Sequence, residues 1–147
     1  MTRIVSLAHG RTLPLWQRPI TFLVLTAIAM PLSFMTWSAL LDNWTIEAIG
    51  FDGSDIGWLH TVREIPGFLA VGVIAIIMFM REQVLGIVSL MGLGIATAMT
   101  ALFPSMGGIL FVTLLSSIGF HYYETVNQSL QLQWLDKGVA PRVLGQL

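Results

Sequence analysis

The chain has 147 residues, of which 55% are apolar and 10% are charged, with a formal net charge of −1 and a mean hydropathy of +0.79. Soluble domains carry about 25% charged residues, so this composition indicates a membrane protein in contact with the lipid bilayer. The nearly neutral charge gives no sign of a nucleic-acid partner. The absence of cysteine excludes disulfides, thiolate nucleophiles and cysteine-ligated metals.

Enzymatic chemistry is not indicated by any motif. The three histidines, His9, His60 and His121, are too scattered to suggest a metal site. The sequence contains no HExxH, no GxSxG and no glycine-rich phosphate loop. We therefore expect no catalytic residue, no metal and no cofactor.

The first predicted transmembrane helix covers residues 20–41 and follows a polar N-terminal segment, residues 1–19. The apolar run is longer than the about 7–15 residues of a signal-peptide core, and no small-residue cleavage site ends it. Pro31 lies in its middle, removes one backbone hydrogen bond and predicts a kink. Three residues are near enough to supply partners for the freed carbonyl: Ser33, Thr36 and Ser38.

The second predicted helix, residues 55–80, has too short an apolar part. Residues 65–80 cover only about 24 Å at about 1.5 Å per residue, whereas a bilayer core is about 30 Å thick. To span, this helix must draw Arg63 and Glu64 into the membrane, with His60 one turn earlier. Ionisable groups there normally face a bundle interior or a water-filled cavity. The alternative is that they lie at the headgroup level and end a short helix.

The third and fourth predicted helices cover residues 84–102 and 108–135. The third is rich in small residues: Gly92 and Gly94 each have an alanine four residues later, a spacing expected to permit close helix packing. The fourth can span only if its polar continuation is included, since its apolar part is short. Residues 136–147 are predicted to be a cytoplasmic tail or the approach to a further helix.

The fourth predicted helix carries a polar stripe. The stripe comprises His121, Glu124, Gln128 and Gln131, and Tyr123 and Asn127 widen it. Its main members are three or four residues apart and therefore share one face of the helix. A stripe this polar is expected to face protein or water rather than lipid. For Gln128 and Gln131, and also for Glu124, the alternative is that they lie beyond the membrane on a cytoplasmic extension.

The basic residues predict the orientation of the helices. They are Arg3, Arg11, Arg18, Arg81, Lys137 and Arg142, besides Arg63. Those six fall at the N-terminus, the second connection and the C-terminus, which lie on one side if the chain crosses four times. The acidic loop at residues 42–55 and the turn at residues 103–108 contain no lysine or arginine. Because positive charge marks the cytoplasmic side, both termini are predicted to be cytoplasmic, with the helices in the plasma membrane.

The two charged sites are expected to lie at different depths. Arg63 is about 12 Å from the outer end of the second helix, and Glu124 is about 24 Å from the outer end of the fourth. A direct Arg63–Glu124 ion pair is therefore not expected, whereas His60 and Glu64 share a helix face and could pair. The two sites bracket the bilayer midplane, where transporters of the repeat type hold their substrate.

In this order the features resemble the opening third of a transporter of the major facilitator superfamily. The resemblance covers nearly the whole chain and rests on Ile56-Gly57-Trp58-Leu59, on Ala101-Leu102-Phe103-Pro104-Ser105 and on Ala140-Pro141-Arg142-Val143-Leu144-Gly145. The last of these looks like the approach to a fifth helix. The family's turn between helices two and three usually carries a glycine, an aspartate four residues later and several basic residues. Here that turn is Met80-Arg81-Glu82-Gln83, in which only Arg81 fits the pattern.

The resemblance implies an all-α membrane protein whose four transmembrane helices match the first four of the family fold. It also implies secondary transport of a small solute, with this chain as the N-terminal part. The candidate proton- or cation-coupling residues are then Glu124, His121, Gln128 and Asn127. Arg63 is a candidate for an anionic solute or a gate, tuned by His60 and Glu64.

The alternative is an accessory subunit that packs against a larger membrane complex, because four helices do not make a complete pore. A small four-helix multidrug exporter has less support, since that family has its key glutamate in the first helix and residues 20–41 carry no charge. The chain is expected to be a fragment, a split gene product or a small subunit. In each case further transmembrane helices are expected to cover the polar stripe.

Overall fold

The computed structural model describes residues 14–15, 18–135, 137–138 and 140–145. Every regular element in this described part is helical, which confirms the predicted all-α class. The helices are α1 Pro19–Trp44, α2 Gly53–Leu69, α3 Gly72–Ile77, α4 Glu82–Met99, α5 Met106–Trp134 and α6 Ala140–Leu144. Most of the predicted N-terminal segment, residues 1–19, lies outside the described residues, as do Asp136, Val139, Gln146 and Leu147 of the predicted tail.

Three helices of the described part are, by length and composition, able to cross a membrane. They are Pro19–Ile49, Glu82–Leu102 and Met106–Trp134. These correspond to the first, third and fourth predicted helices and are what a multi-pass membrane protein requires. The first of them is α1 extended by a π-helical turn, Thr45–Ile49, and α1 continues through Pro31 without interruption.

The connection between α1 and α2 is closed by local hydrogen bonds. Gly50 follows the π-helical turn with a φ of 84°, which glycine adopts without strain. The Asp52 carboxylate accepts hydrogen bonds from the N–H groups of Ser54 and Asp55 at 2.7 and 3.0 Å. The Asp55 carboxylate in turn accepts from the Asp52 N–H at 3.1 Å. This reciprocal capping box fixes the start of α2, so two acidic residues of the loop have a structural role.

The second predicted helix is divided in the structure. Its residues 53–77, called the second segment below, form α2 and α3, which are separated at Ala70 and Val71. Around this break the N–H groups of Ala70, Val73 and Ile74 each donate to the carbonyl three residues earlier, at 3.0 to 3.3 Å. The chain therefore tightens to a 3₁₀-like turn instead of unwinding into a loop.

The break has a local cause in the sequence. Pro66, inside α2, has no N–H to donate and its ring crowds the preceding turn. Gly67 and Gly72 follow, and glycine is the poorest helix former after proline. Neither α2, with 17 residues, nor α3, with 6 residues, is among the three membrane-spanning candidates.

Residues 37–126 form one compact unit with its own apolar core. The core cluster consists of Leu41, Phe51, Leu59 and Ile109, with Trp37, Trp44, Ile49, Ile56, Met106 and Leu110 packed against it. It joins the end of α1, the start of α2 and the start of α5 around Phe51. This arrangement fixes the positions of the polar residues that follow along α2 and α5.

The other unit contains the chain up to Thr36 and from Asn127 onwards. Leu23, Leu130 and Leu135 are buried in the described part of the chain. The rings of Phe22 and Trp134 meet edge to face, with their centroids 6.0 Å apart. An edge-to-face pair of this kind typically adds about 0.5–1.5 kcal/mol beyond the area that it buries.

The glycines that permit close packing are not those predicted. A Cβ atom at Gly92 or Gly94 would meet no atom of the described residues within 4 Å, so neither glycine makes a close helix contact in this part of the chain. The close approach occurs at Gly119 in α5, where a Cβ would lie 2.7 Å from the Ser89 carbonyl oxygen of α4. Helical periodicity shows where small residues are, but which face of α4 meets a neighbour depends on tertiary packing.

Candidate functional site

Arg63 connects three helices within the unit of residues 37–126. Its Nη1 donates to Ser38 Oγ of α1 at 3.0 Å, and its Nε donates to Glu64 Oε1 at 3.3 Å. Its carbonyl oxygen accepts a hydrogen bond from the Ser117 hydroxyl of α5. The Arg63 side chain is 19% exposed, whereas that of Glu64 is 64% exposed. Protein atoms thus cover most of the Arg63 side chain.

His60 makes a different pair from the one its spacing suggests. Its Nε2 lies 3.6 Å from Asp42 Oδ2 of α1, whereas Glu64 bonds to Arg63. The suggested His60–Glu64 pair is therefore replaced by two others. The cause is tertiary: α1 brings a carboxylate to His60, and a residue on another helix cannot be found from spacing along α2.

Two polar side-chain contacts join α1 and α2. Ser38 and Asp42 are four residues apart on α1, and His60 and Arg63 are three apart on α2, so each pair shares a helix face. The two contacts are Ser38–Arg63 and Asp42–His60. The side chains of Asp42 and His60 are 32% and 39% exposed, so this contact is partly open. The Ser38–Arg63 contact is better covered, since the Arg63 side chain is 19% exposed.

The same face of α5 continues from Ser117 to His121, which packs on a glycine of the second segment. A Cβ atom at Gly67 would lie 3.3 Å from Cε1 of the His121 ring. The next residue, Tyr122, has its hydroxyl where a Cβ at Gly72 would be 3.1 Å away. Both side chains are half-buried. The two glycines on either side of the break thus admit two side chains of α5.

These contacts fix the level of Glu124 along the second segment. Ser117 meets Arg63 and His121 meets Gly67, so α5 and α2 run in the same direction in register. Glu124 is three residues after His121, as Ala70 is three residues after Gly67. Glu124 therefore lies level with the break between α2 and α3, about 10 Å along the helix from Ser117. The direct Arg63–Glu124 pair, which the sequence argues against, is not seen among the described residues.

The break lies about midway between two residues, Trp58 and Arg81. Trp58 is 59% exposed and belongs to a residue type that is enriched at membrane interfaces. Arg81 precedes the start of α4. Ala70 lies about 18 Å from Trp58 and about 17 Å from Arg81 at the rise of an α-helix. If the second segment spans a bilayer, both the break and Glu124 lie near its midplane.

Burial decreases along the polar face of α5. Ser117 is buried, His121 is half-buried and Glu124 is exposed. In the described part of the chain no ion pair to Glu124 is seen.

The remaining members of the predicted stripe differ from one another. Gln128 is exposed, and Asn127 and Gln131 are half-buried. All three belong to the other unit, which contains the chain up to Thr36 and from Asn127 onwards. The Asn127 Oδ1 atom is buried with no hydrogen-bond partner among the described residues. Tyr123 is 4% exposed and lies on the packed side of α5, so it does not widen the exposed stripe.

Four residues of the site were not identified from the sequence: Ser38, Ser117, Gly67 and Tyr122. Ser117 had a signal, since it precedes His121 by four residues and so extends the stripe towards the start of α5. Gly67 follows Pro66, which marks a weak point in a helix. Ser38 and Tyr122 act through contacts with other helices, for which a single sequence carries no signal.

No arrangement typical of a metal centre is found. Within the described residues, no group of three or more histidine, aspartate or glutamate side chains could hold a metal ion. The chemistry available along α5 is hydrogen bonding, charge and proton exchange. Comparison with family models, with curated proteins and with solved structures gives no match to this chain.

Proposed function

We propose that this chain is part of a secondary transporter that moves a small solute across the plasma membrane. In this proposal it corresponds to the first four helices of a transporter like those of the major facilitator superfamily, with both termini cytoplasmic. The second segment then crosses the membrane as the second of four helices, in addition to the three membrane-spanning candidates. The observation that carries the proposal is a carboxylate, Glu124, level with an interrupted helix halfway between Trp58 and Arg81.

An interrupted helix and a carboxylate at the same depth are useful to a transporter. Transporter sites near the midplane are typically formed by discontinuous helices, at which ends of helices face the solute or the coupling ion. An ionised side chain at the centre of a bilayer costs about 2.5–3.5 kcal/mol on insertion scales, so its presence calls for a function or a partner. In the proposal Glu124 escapes this cost by taking up and releasing a proton.

Arg63 has a different role in this proposal from the one expected of a solute ligand. Its side chain donates to Ser38 and Glu64, and its carbonyl accepts from Ser117. These bonds make it a fixed connection between α1, α2 and α5. Solute and proton movement are therefore assigned to the level of Glu124 and not to the level of Arg63.

The test is proton-coupled transport by the full-length protein as cells produce it. Everted membrane vesicles are energised, the pH gradient is followed with acridine orange, and sugars, amino acids, amines and carboxylates are added in turn. A coupled solute should dissipate the gradient with the wild type, and the same solute should leave it unchanged with Glu124→Gln. Exchange of labelled for unlabelled solute should persist in that variant, because it needs no net proton movement.

Glu47→Gln is the matched control, since Glu47 is an exposed carboxylate of the π-helical turn. It should behave like the wild type. Unchanged proton-coupled transport by Glu124→Gln, with the same pH dependence as the wild type, would show that Glu124 is not the coupling group.

The second candidate function is an accessory subunit of a larger membrane complex. The exposure of Glu124 supports it, because lipid is a poor neighbour for a carboxylate and a further helix would relieve the cost. A chain of this kind would give no solute-dependent proton flux, and it would copurify with other membrane subunits in a fixed ratio. Those two results together would favour the subunit over the transporter.

A further inference from the structure

The two side-chain contacts between α1 and α2 differ in how they respond to pH. Arg63 Nη1 donates to Ser38 Oγ at 3.0 Å, and an arginine stays charged at every pH at which proteins fold. The other contact joins the His60 imidazole to the Asp42 carboxylate. Histidine is the side chain that ordinarily changes its charge between about pH 5 and 8. One contact therefore has a constant charge, and the other has a charge that can change.

The geometry of the Asp42–His60 contact makes that change matter. His60 Nε2 is 3.6 Å from Asp42 Oδ2, which is too long for a hydrogen bond between nitrogen and oxygen. A neutral imidazole at this distance does little for the carboxylate, whereas an imidazolium attracts it as an ion. The second carboxylate oxygen, Asp42 Oδ1, is buried with no hydrogen-bond partner among the described residues. A protonated His60 is thus the counter-charge that this part of the chain offers to Asp42.

The apolar core already holds the two residues in place. Leu41 and Leu59 immediately precede Asp42 and His60, and both belong to the core cluster, at 4% and 1% exposed. Thr45 Oγ1 donates to the Asp42 carbonyl oxygen at 3.0 Å, which fixes the backbone at the end of α1. A partly exposed ion pair loses much of its value to the ordering of two long side chains. Here both side chains are short and both backbones are held, so less of the attraction is lost.

The other charged groups around His60 leave Asp42 as its partner. Arg63 and Glu64 follow His60 on α2, but they bond to each other. The rest of α1, all of α3 and residues 106–120 of α5 carry no histidine and no charged residue. The first titratable group of α5, His121, lies on Gly67, about 10 Å along α2 from His60. The remaining acidic residues of the connection and of α4 are Glu47, Asp52, Asp55 and Glu82.

We propose that protonation of His60 tightens the contact between the end of α1 and α2, so that this contact is a pH-sensitive connection within the fold. The attraction to Asp42 is present while His60 is charged and is lost as the pH rises through the range in which histidine deprotonates. At high pH the two helices are then held by the apolar core and by the Ser38–Arg63 bond. This proposal does not rest on the transport function, since it involves neither Glu124 nor a solute.

The test is a double-mutant cycle on the full-length protein. The wild type, Asp42→Asn, His60→Gln and the double variant are compared by steric trapping in bicelles, at about pH 5.5 and about pH 8, the two ends of the histidine range. At the lower pH the pair should contribute about two- to fivefold to the unfolding equilibrium constant, as partly exposed ion pairs do. At the higher pH this coupling should disappear. His9 and His121 are present in all four proteins, so their titration cancels in the cycle.

Two controls separate this contact from its neighbours. A second cycle, with Glu64→Gln in place of Asp42→Asn, should give the smaller pH-dependent coupling, because Glu64 bonds to Arg63. Ser38→Ala should lower the stability by the same factor at both pH values, because the charge of Arg63 does not change.

Two results of the Asp42–His60 cycle would overturn the proposal. They are an absence of coupling at the lower pH and a coupling of equal size at both pH values, which would be that of a neutral polar contact. The single variant His60→Gln gives an independent measure if Asp42→Asn does not fold, as judged by circular dichroism. Relative to His60→Gln, the wild type should lose stability as the pH rises, and a constant difference between the two proteins would also contradict the proposal.

Discussion

Arg63 is a single residue that connects α2 with two other helices. Its guanidinium bonds to Ser38 of α1, and its carbonyl accepts from Ser117 of α5. With a side chain only 19% exposed, it cannot exchange these partners for water without a conformational change. At this scale the two charged residues differ: Arg63 connects helices, whereas Glu124 is exposed.

The Ser38–Arg63 bond can be tested by Ser38→Ala. The loss of the hydroxyl leaves the guanidinium with one acceptor fewer, and hydrogen bonds between membrane helices contribute about 0.6–1.7 kcal/mol. We expect the unfolding free energy, measured by steric trapping in bicelles, to fall by that amount. Ser33→Ala, at an exposed position of α1, is the control and should change it little. Equal stability of the two variants would mean that the Ser38–Arg63 bond contributes nothing.

Among the elements, α5 organises the unit of residues 37–126. One side of it carries Ser117 and His121 towards the second segment, and another carries Gly119 towards α4. The contact at Gly119 involves backbone atoms, because a Cβ atom there would lie 2.7 Å from Ser89 O and 2.9 Å from Leu93 N. Backbone atoms cannot rotate away from a methyl group as a flexible side chain can, so this position admits only glycine.

Gly119→Ala should therefore push α4 and α5 apart. Overpacking of this kind typically costs about 1–3 kcal/mol, and the unfolding free energy should fall by that amount in the same bicelle measurement. Gly92→Ala is the matched control, because a methyl group there meets nothing within 4 Å. The outcome that contradicts the packing is a Gly119→Ala variant as stable as Gly92→Ala.

At the scale of the whole molecule, the helical class and three of the helices could be predicted from the sequence. Long apolar runs specify helices in a membrane, because every backbone group must be satisfied within the segment. The break in the second segment could be predicted only in part. Pro31 and Pro66 both lie in apolar surroundings, yet α1 continues through Pro31 and the second segment tightens four residues after Pro66. Only Pro66 is followed by glycines, Gly67 and Gly72.

The candidate site was predictable where it follows one helix and not where it joins several. The stripe of His121 and Glu124 depends on spacing along α5 alone. The partners of His60 and Arg63 are on α1, and a single sequence does not record which helices become neighbours. The close contact at Gly119 was not predictable from the sequence either, since no small residue lies four positions before or after it.

The most direct measurement is the depth of Val71 in a bilayer. The chain has no cysteine, so single-cysteine variants at Trp58, Val71 and Met78 can each carry one nitroxide label. All three positions are exposed, at 59%, 74% and 78%, and should tolerate it. Electron paramagnetic resonance then compares collisions with oxygen, which concentrates in the membrane centre, and with a water-soluble nickel chelate. If the second segment crosses the bilayer with its break at the midplane, the label at Val71 should show the highest ratio of oxygen to nickel collisions. A ratio at Val71 no higher than at Trp58 and Met78 would mean that the second segment does not cross, and Glu124 would then not lie at the midplane.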